Sequence, residues 1–401
     1  MLEHIQVANI DMLPKIGNNM FLTPELAPTF TVKDEDLIKI LGIITRIADG
    51  QGFISNSGAH GQRGYDQKIM FTWVGAAVDI RYRVYKMLGN LGPKLYFFRL
   101  PYRESSEDEL LKQMSEDFSI KIERIETALF EYLYFFEMGP HLIYDNELHK
   151  VKWDTESDSV DAKRCIVRLG VLLQHLRCIA TVWHTEDSQA SEYAYSVSQP
   201  EDPRRAITTL RNLARGHALL TGRNYITIED IPVVVKTVLS TAQIERVSVF
   251  YLLINREKGD VSTDDIMDYL HVARPTALRT MAELKAIGLV EDYEFDDGYK
   301  TKPVKHIRLR DPFNWFLSEG FKKLHEDFVP VDNTEFLNQG YKQHEKIIKN
   351  NYPHTETFVN LSDEQIETFL SIFQSMEKEQ ANLSIEIDRD TISGEVLRQR
   401  L

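Results

Sequence analysis

The residues best suited to chemistry are basic and hydrogen-bonding side chains gathered between positions 271 and 310. A helical run, Pro275–Ile287, sets Leu278, Met281, Ala282 and Leu284 at core spacing and leaves Arg274, Thr276, Arg279, Thr280 and Lys285 outward. Long cations and hydroxyls on one helix face are the groups that read base edges in a major groove. The stretch that follows carries Lys300, Lys302, Lys305, His306, Arg308 and Arg310, which suit phosphates. Residues 271–310 hold eight lysines and arginines against six acids, a net of +2, in a chain whose 47 Lys plus Arg and 61 Asp plus Glu leave −14. The average surface therefore repels nucleic acid, and any DNA contact must be local.

The elements that would position this set are legible around it. Ser262 caps a short helix through Leu270 that turns Ile266, Tyr269 and Leu270 inward, Gly288 ends the next helix, and Asp296-Asp297-Gly298 is a turn between the strand runs 289–295 and 305–309. That order predicts a winged helix-turn-helix, a fold used both for DNA and for protein docking. Asp260, Asp264, Asp265 and Asp268 crowd the helix before it.

Upstream, residues 18–102 predict an α/β arrangement. An apolar run (19–22) leads into Thr23-Pro24-Glu25, a helix spans 33–49, a Gly-rich stretch spans 50–64, and a strand (69–78), helix (82–91) and strand (94–100) imply a parallel pair with a crossover. From 105 to 257 the pattern is helical, with the greasy stretches 127–138 and 165–183 expected as buried helices and with caps at Ser105-Ser106-Glu107-Asp108 and Glu201-Asp202-Pro203. Gly222 is expected to end a helix, and Thr227-Ile228-Glu229-Asp230 to start another through Thr241. Arg204 and Arg205 stand in the first turn of a helix, where their charge opposes the helix dipole and favours an anionic partner. Beyond 311 the chain is polar and mixed, with an amphipathic helix expected from about 363 to 380.

Taken in order, the apolar strand ending at Glu25, the strand Phe71-Thr72-Trp73-Val74-Gly75-Ala76-Ala77, the helix before Gly92-Pro93-Lys94, and the helix opening at Pro203-Arg204-Arg205 followed by Tyr225-Ile226-Thr227-Ile228-Glu229-Asp230 resemble the second half of an AAA+ ATPase module. The resemblance covers roughly residues 18–245. It implies that Glu25 helps to position magnesium and the attacking water, that Lys94 stands where the family carries its arginine finger, and that Arg204 or Arg205 senses the γ-phosphate. It also implies that the loop bearing His60 and Arg63 lines a pore in an oligomer. The sequence departs from the family in ending its sensor strand with Gly75 and Ala76, and in having a lysine at the finger position, which lacks the bidentate fork. No Gly-x-x-x-x-Gly-Lys-Ser/Thr string occurs, and 24 residues precede Glu25 where the family has its phosphate loop. ATP and magnesium are therefore expected only through a partner chain that brings that loop.

Other chemistry is excluded or weak. Cys165 and Cys178, the only two cysteines, rule out a disulfide scaffold and imply a reducing, cytoplasmic setting. With His175 and His184 they are too dispersed for a metal site, His141 and His149 lack ligand spacing, and no metal is expected. No window is apolar enough to span a membrane. The expected organisation is α/β to mainly α: a partial AAA+-like α/β core (1–103), a helical lid region (104–257), a winged helix-turn-helix (258–312) and a helical extension (313–401). The expected function is double-stranded DNA binding in replication, transcription control or a mobile element, as a homo-oligomer or with a phosphate-loop partner. The alternatives are a non-enzymatic transcription regulator or oligomeric adaptor, and an unrelated hydrolase.

Overall fold

The computed structural model describes residues 19–325 apart from 49–52, 58–60, 66–70, 79, 81, 91–93, 101–104, 116, 139–143, 146–149, 186–192, 257 and 296–302. The chain divides into two units, residues 1–80 with 343–401 and residues 81–342. The architecture is mixed α/β to mainly α, with small sheets among many helices. No helix of the described residues is long and apolar enough to cross a membrane.

In the first unit, β1 (Met20–Thr23) leads to α1 (Ala27–Thr31) and α2 (Asp34–Ala48). Three acids in the first turn of α2 and Arg46 in its last complement the helix dipole, while Leu37, Leu41 and Ile47 are buried. The Gly-rich stretch forms a hairpin of β2 (Phe53–Ser57) and β3 (Gly61–Tyr65). β4 (Thr72–Gly75) then pairs in parallel with β1, Met20 opposite Thr72 and Thr23 opposite Gly75. A parallel pair with a crossover is thus present, but between different strands from those expected. Residues 94–100 join no described ladder, because the Phe97 amide donates to the Thr241 hydroxyl at 3.0 Å and the Arg99 guanidinium reaches the Tyr85 hydroxyl at 2.9 Å.

The second unit opens with α3 (Tyr82–Asn90), α4 (Glu107–Ser115) and α5 (Phe118–Met138). Ser106 and Glu109 cap α4 reciprocally. The expected burial of 127–138 is not met where side chains are described: Leu129 is 55% exposed, as are Ile125 (67%) and Phe118 (64%) earlier in α5. Lys121, Glu123, Arg124 and Glu126 interleave with the apolar residues, so this helix has no broad apolar face to bury.

After a two-residue ladder, β5 (Tyr144–Asp145) with β6 (Lys150–Val151), α6 (Val160–Arg177) starts on a Ser159 cap and buries nine residues. It ends at Arg177, short of the expected 183, since Thr181, Val182 and Trp183 belong to β7 (Thr181–His184), antiparallel to β8 (Tyr193–Ser196). α7 (Arg204–Leu220) buries Ala206, Leu210, Ala214 and Ala218, one stripe at a four-residue step, and gives way at Gly222, whose φ of +76° suits glycine. A 3-10 turn (Ile228–Asp230) opens α8 (Ile231–Thr241), and α9 (Ile244–Asn255) follows.

β9 (Asp260–Ser262), α10 (Thr263–Leu270), α11 (Arg274–Ala286), β10 (Val290–Phe295) and β11 (Val304–Leu309) complete the body, with a 3-10 turn (Asp311–Leu317) and α12 (Glu319–Leu324) behind them. The sheet order is β10-β11-β9, antiparallel throughout. Ser262 caps α10 as expected, in a reciprocal box with Asp265. His271 takes a left-handed conformation (φ 51°), which turns the chain between α10 and α11. One apolar core runs from Ala162 to Phe321 and includes Ile254 and Val261, so packing is continuous across the boundary expected at 257–258. The helix expected at 363–380 lies outside the described residues.

Arg246, with a side chain 1% exposed, ties three elements together. Its Nη1 donates to the carbonyls of Leu176 (3.0 Å) and Cys178 (2.6 Å) at the end of α6, and its Nη2 lies 3.3 Å from the Glu283 carboxylate of α11. Removing one partner of such a buried pair strands the other, so Arg246→Ala is expected to cost about 3–5 kcal/mol in urea unfolding. Arg246→Met with Glu283→Leu should recover most of that loss.

A half-buried histidine and a buried one set a pH dependence. His175 donates from Nδ1 to the Ile287 carbonyl and His325 to the Phe321 carbonyl, and burial pushes both pKa values below the usual histidine value. The unfolded chain takes up these protons near pH 6.5 while the folded chain does not, so stability is lost as pH falls below about 6.5. The melting temperature is expected to be lower at pH 5.5 than at 7.5, and His175→Asn should flatten the difference.

Candidate functional site

In the first unit, β1 stops at Thr23, and Glu25 stands exposed two residues beyond, accepting the Ala27 amide at 2.8 Å in the first turn of α1. The Thr23 hydroxyl is taken by the Trp73 indole at 2.8 Å. At the end of β4, a Cβ on Gly75 would lie 2.5 Å from Leu26 Cδ1. Leu26 fills the space a side chain at Gly75 would need. Arg63 lies on β3 opposite Ser55, and His60 falls outside the described residues.

In the second unit, Arg204 is held by its own neighbour. Asp202 accepts the Arg204 backbone amide at 2.8 Å and Nη2 at 2.6 Å, and these bonds keep the Asp202 carboxyl below the usual range. Burial and the Arg205 charge push the Lys94 pKa down, with Glu201 opposing. Sequence reasoning missed Arg177, at the end of α6. Its Nη2 donates to Glu201 at 2.8 Å and its guanidinium sits 5.2 Å from the Tyr96 ring centroid. The available signal was an arginine at the end of an apolar helical run.

The basic set of α11 and its hairpin divides into outward and engaged groups. Arg274 pairs with Asp264 at 3.3 Å, Arg279 with Glu283 at 3.2 Å, and Arg308 with Glu291 at 2.6 Å, each arginine at least half exposed. Thr276 is exposed at the start of α11. Thr280, expected outward, is buried, and its hydroxyl bonds back to the Thr276 carbonyl at 3.1 Å. The β7–β8 hairpin packs along α11, where the Ser198 amide donates to the Ala286 carbonyl at 3.0 Å and Lys285 lies over the Tyr195 ring. Lys285 and Lys305 both pair with Asp292. Burial works against that carboxylate, but the two lysines hold its pKa below the usual range. Lys300 and Lys302 lie outside the described residues. The Arg274–Asp264 and Arg308–Glu291 pairs are exposed on both sides and are worth about 0–1 kcal/mol each, so another anion could exchange for those carboxylates.

Among the described residues no group of three or more His, Cys, Asp or Glu side chains could hold a metal ion. Gly75→Val is expected to destabilise the first unit by about 1–3 kcal/mol through overlap with Leu26. Leu26→Ala in the same chain should relieve the overlap, and chemical denaturation of both variants checks the pair.

The AAA lid domain model matches residues 197–241, the stretch that contains α7 and α8. No curated protein and no solved structure matches the chain. The lid match supports an AAA+ module.

Proposed function

We propose that the chain is the acidic-strand, sensor and lid portion of an AAA+-type module joined to a winged helix, and that it binds double-stranded DNA. ATP and magnesium would engage through a partner that supplies the phosphate loop. In this reading Glu25 supports magnesium or the attacking water, Arg204 or Arg205 meets the γ-phosphate, and Lys94 reaches a neighbouring subunit.

The observation that carries the reading is the order of parts: a matched lid at 197–241, then helix, strand, helix, turn, helix and hairpin on the same core. The first unit supports the need for a partner. Parallel sheets are normally covered on both faces, yet Met20 and Leu22 are each 62% exposed and Val74 48%. Further strands would cover them. Arg274, Thr276 and Arg279 cluster at the exposed start of α11, where a recognition helix meets bases, and Lys305 and Arg308 stand on the hairpin for phosphates.

One observation favours the non-enzymatic adaptor as a second reading: the β7–β8 hairpin covers part of α11, which narrows any groove contact to its first turns. Titrating labelled duplex into the chain at low and moderate salt separates the two. DNA binding predicts affinity that falls steeply with salt, and Arg274→Ala/Arg279→Ala should cost at least about tenfold and lower the salt slope by about two. No binding at low salt would leave protein docking as the use of this surface.

A further inference from the structure

Helix α5 stands in solvent for most of its length although both ends of that stretch are fixed. Asp117 caps its start, accepting the Ser119 amide at 2.9 Å, and the Tyr132 hydroxyl donates to the Leu220 carbonyl at 3.0 Å, where the helix meets the end of α7. Between them every residue from Phe118 to Leu129 is exposed. A helical stretch this short is marginal in water without packing, and three isoleucines and a threonine lower its propensity further. Such a stretch gains stability by burying one face on another helix.

The sequence provides that face. Of the large apolar residues of α5 that are exposed, Phe118, Ile122, Ile125 and Leu129 form one stripe, and Ile120 alone falls off it. Their spacing of four, three and four residues keeps them within about 60° of the helix circumference. That is narrower than the face a core helix buries and matches the seam of a coiled coil. Ile122 and Leu129 take heptad position a, and Phe118 and Ile125 take position d, which puts Lys121 at g and Glu126 at e. In a parallel pair each g residue faces the e residue five positions on in the other strand, so Lys121 of one copy faces Glu126 of the next. An antiparallel pair sets g against g and e against e, and never joins the two. Lys121 already lies along the stripe, its Nζ 5.5 Å from the centroid of the Phe118 ring, as a flanking g side chain does.

We propose that α5 is a self-association helix, on which this chain pairs in parallel with α5 of a second copy. The seam joins Phe118, Ile122, Ile125 and Leu129 to their counterparts, and Lys121 and Glu126 of opposite copies set direction and register. The four side chains offer on the order of 400 Å² per copy, about half of a standard interface, so the association is weak and concentration-dependent. Isoleucine at both a and d admits a third strand. Because α5 is already helical, pairing orders little further chain. The surface is separate from the nucleotide and DNA readings, and pairing needs neither ligand.

The test is analytical sedimentation of the full chain from low to high micromolar concentration, without nucleotide or DNA. The average mass is expected to rise with concentration. Ile125→Asp should weaken association at least about tenfold by placing a carboxylate in the seam. Because Ile125 is exposed, melting of this variant at low concentration should stay unchanged, which separates a lost interface from a lost fold. Lys121→Glu and Glu126→Lys each set like charges across the seam and should weaken association several-fold at low salt, and the double variant should restore it. Phe118→Cys should link two copies by a disulfide under mild oxidation, which an antiparallel pair, with these ends apart, would not allow. A constant monomer mass at every concentration would overturn the proposal and leave the stripe to a different protein. Association that Ile125→Asp leaves intact, or charge variants without rescue, would overturn it as well.

Discussion

A guanidinium in an apolar core must find acceptors for its donors, and the second unit is arranged so that Arg246 does. Its acceptors come from two places that the sequence keeps apart, the carbonyls that close α6 and the carboxylate of Glu283 on α11. Because α6 packs on α7 and α8, while α11 carries the sheet of β9, β10 and β11, this one side chain fixes the lid helices to the helix-and-hairpin body. Apolar contacts tolerate small slippage; a buried ion pair with two carbonyls as further acceptors does not. The continuous core from Ala162 to Phe321 supplies most of the adhesion, and Arg246 supplies the register.

A second buried charge does the same inside the lid. Asp230 is fully buried and accepts from Arg223 at 2.9 Å, His217 at 2.7 Å and the Thr227 amide at 2.7 Å. Burial alone would raise its pKa, yet these donors hold it below the usual carboxylate range. The end of α7, the turn at Gly222 and the start of α8 are thereby drawn onto one oxygen pair. The segment matched by the lid model is held by this network.

What was legible in the sequence follows from how local the cause is. The Ser262 box, the Gly222 stop, the helix ends at Thr241 and Leu270 and the strands around Asp296-Asp297-Gly298 depend on residues within a few positions of one another, and each is found. The departures have long-range causes. Residues 94–100 look like a strand, but their backbone is claimed by Thr241. Thr280 has an outward type at what becomes an inward position, and its hydroxyl is satisfied by its own helix, so no composition signal marks it. The pairing of Arg177 with Glu201 depends on the packing of two separate segments and has no signature in spacing.

The same packing shapes how a polyanion would be met. With a formal charge of −14, the chain offers little long-range attraction, and Arg274, Arg279 and Arg308 on α11 and its hairpin are each paired with a carboxylate. An anion arriving there does not enter a vacant site; it exchanges with Asp264, Glu283 or Glu291. Asp264 and Glu291 are exposed and their pairs weak, so an exchange there gains little and depends on salt, whereas Glu283 is buried. Arg279 is the exception in consequence, because its carboxylate, Glu283, is also the anchor of Arg246. Any change at Arg279 therefore reaches the buried carboxylate on which Arg246 depends. The exposed face of α11 and the joint to the lid helices thus share one carboxylate.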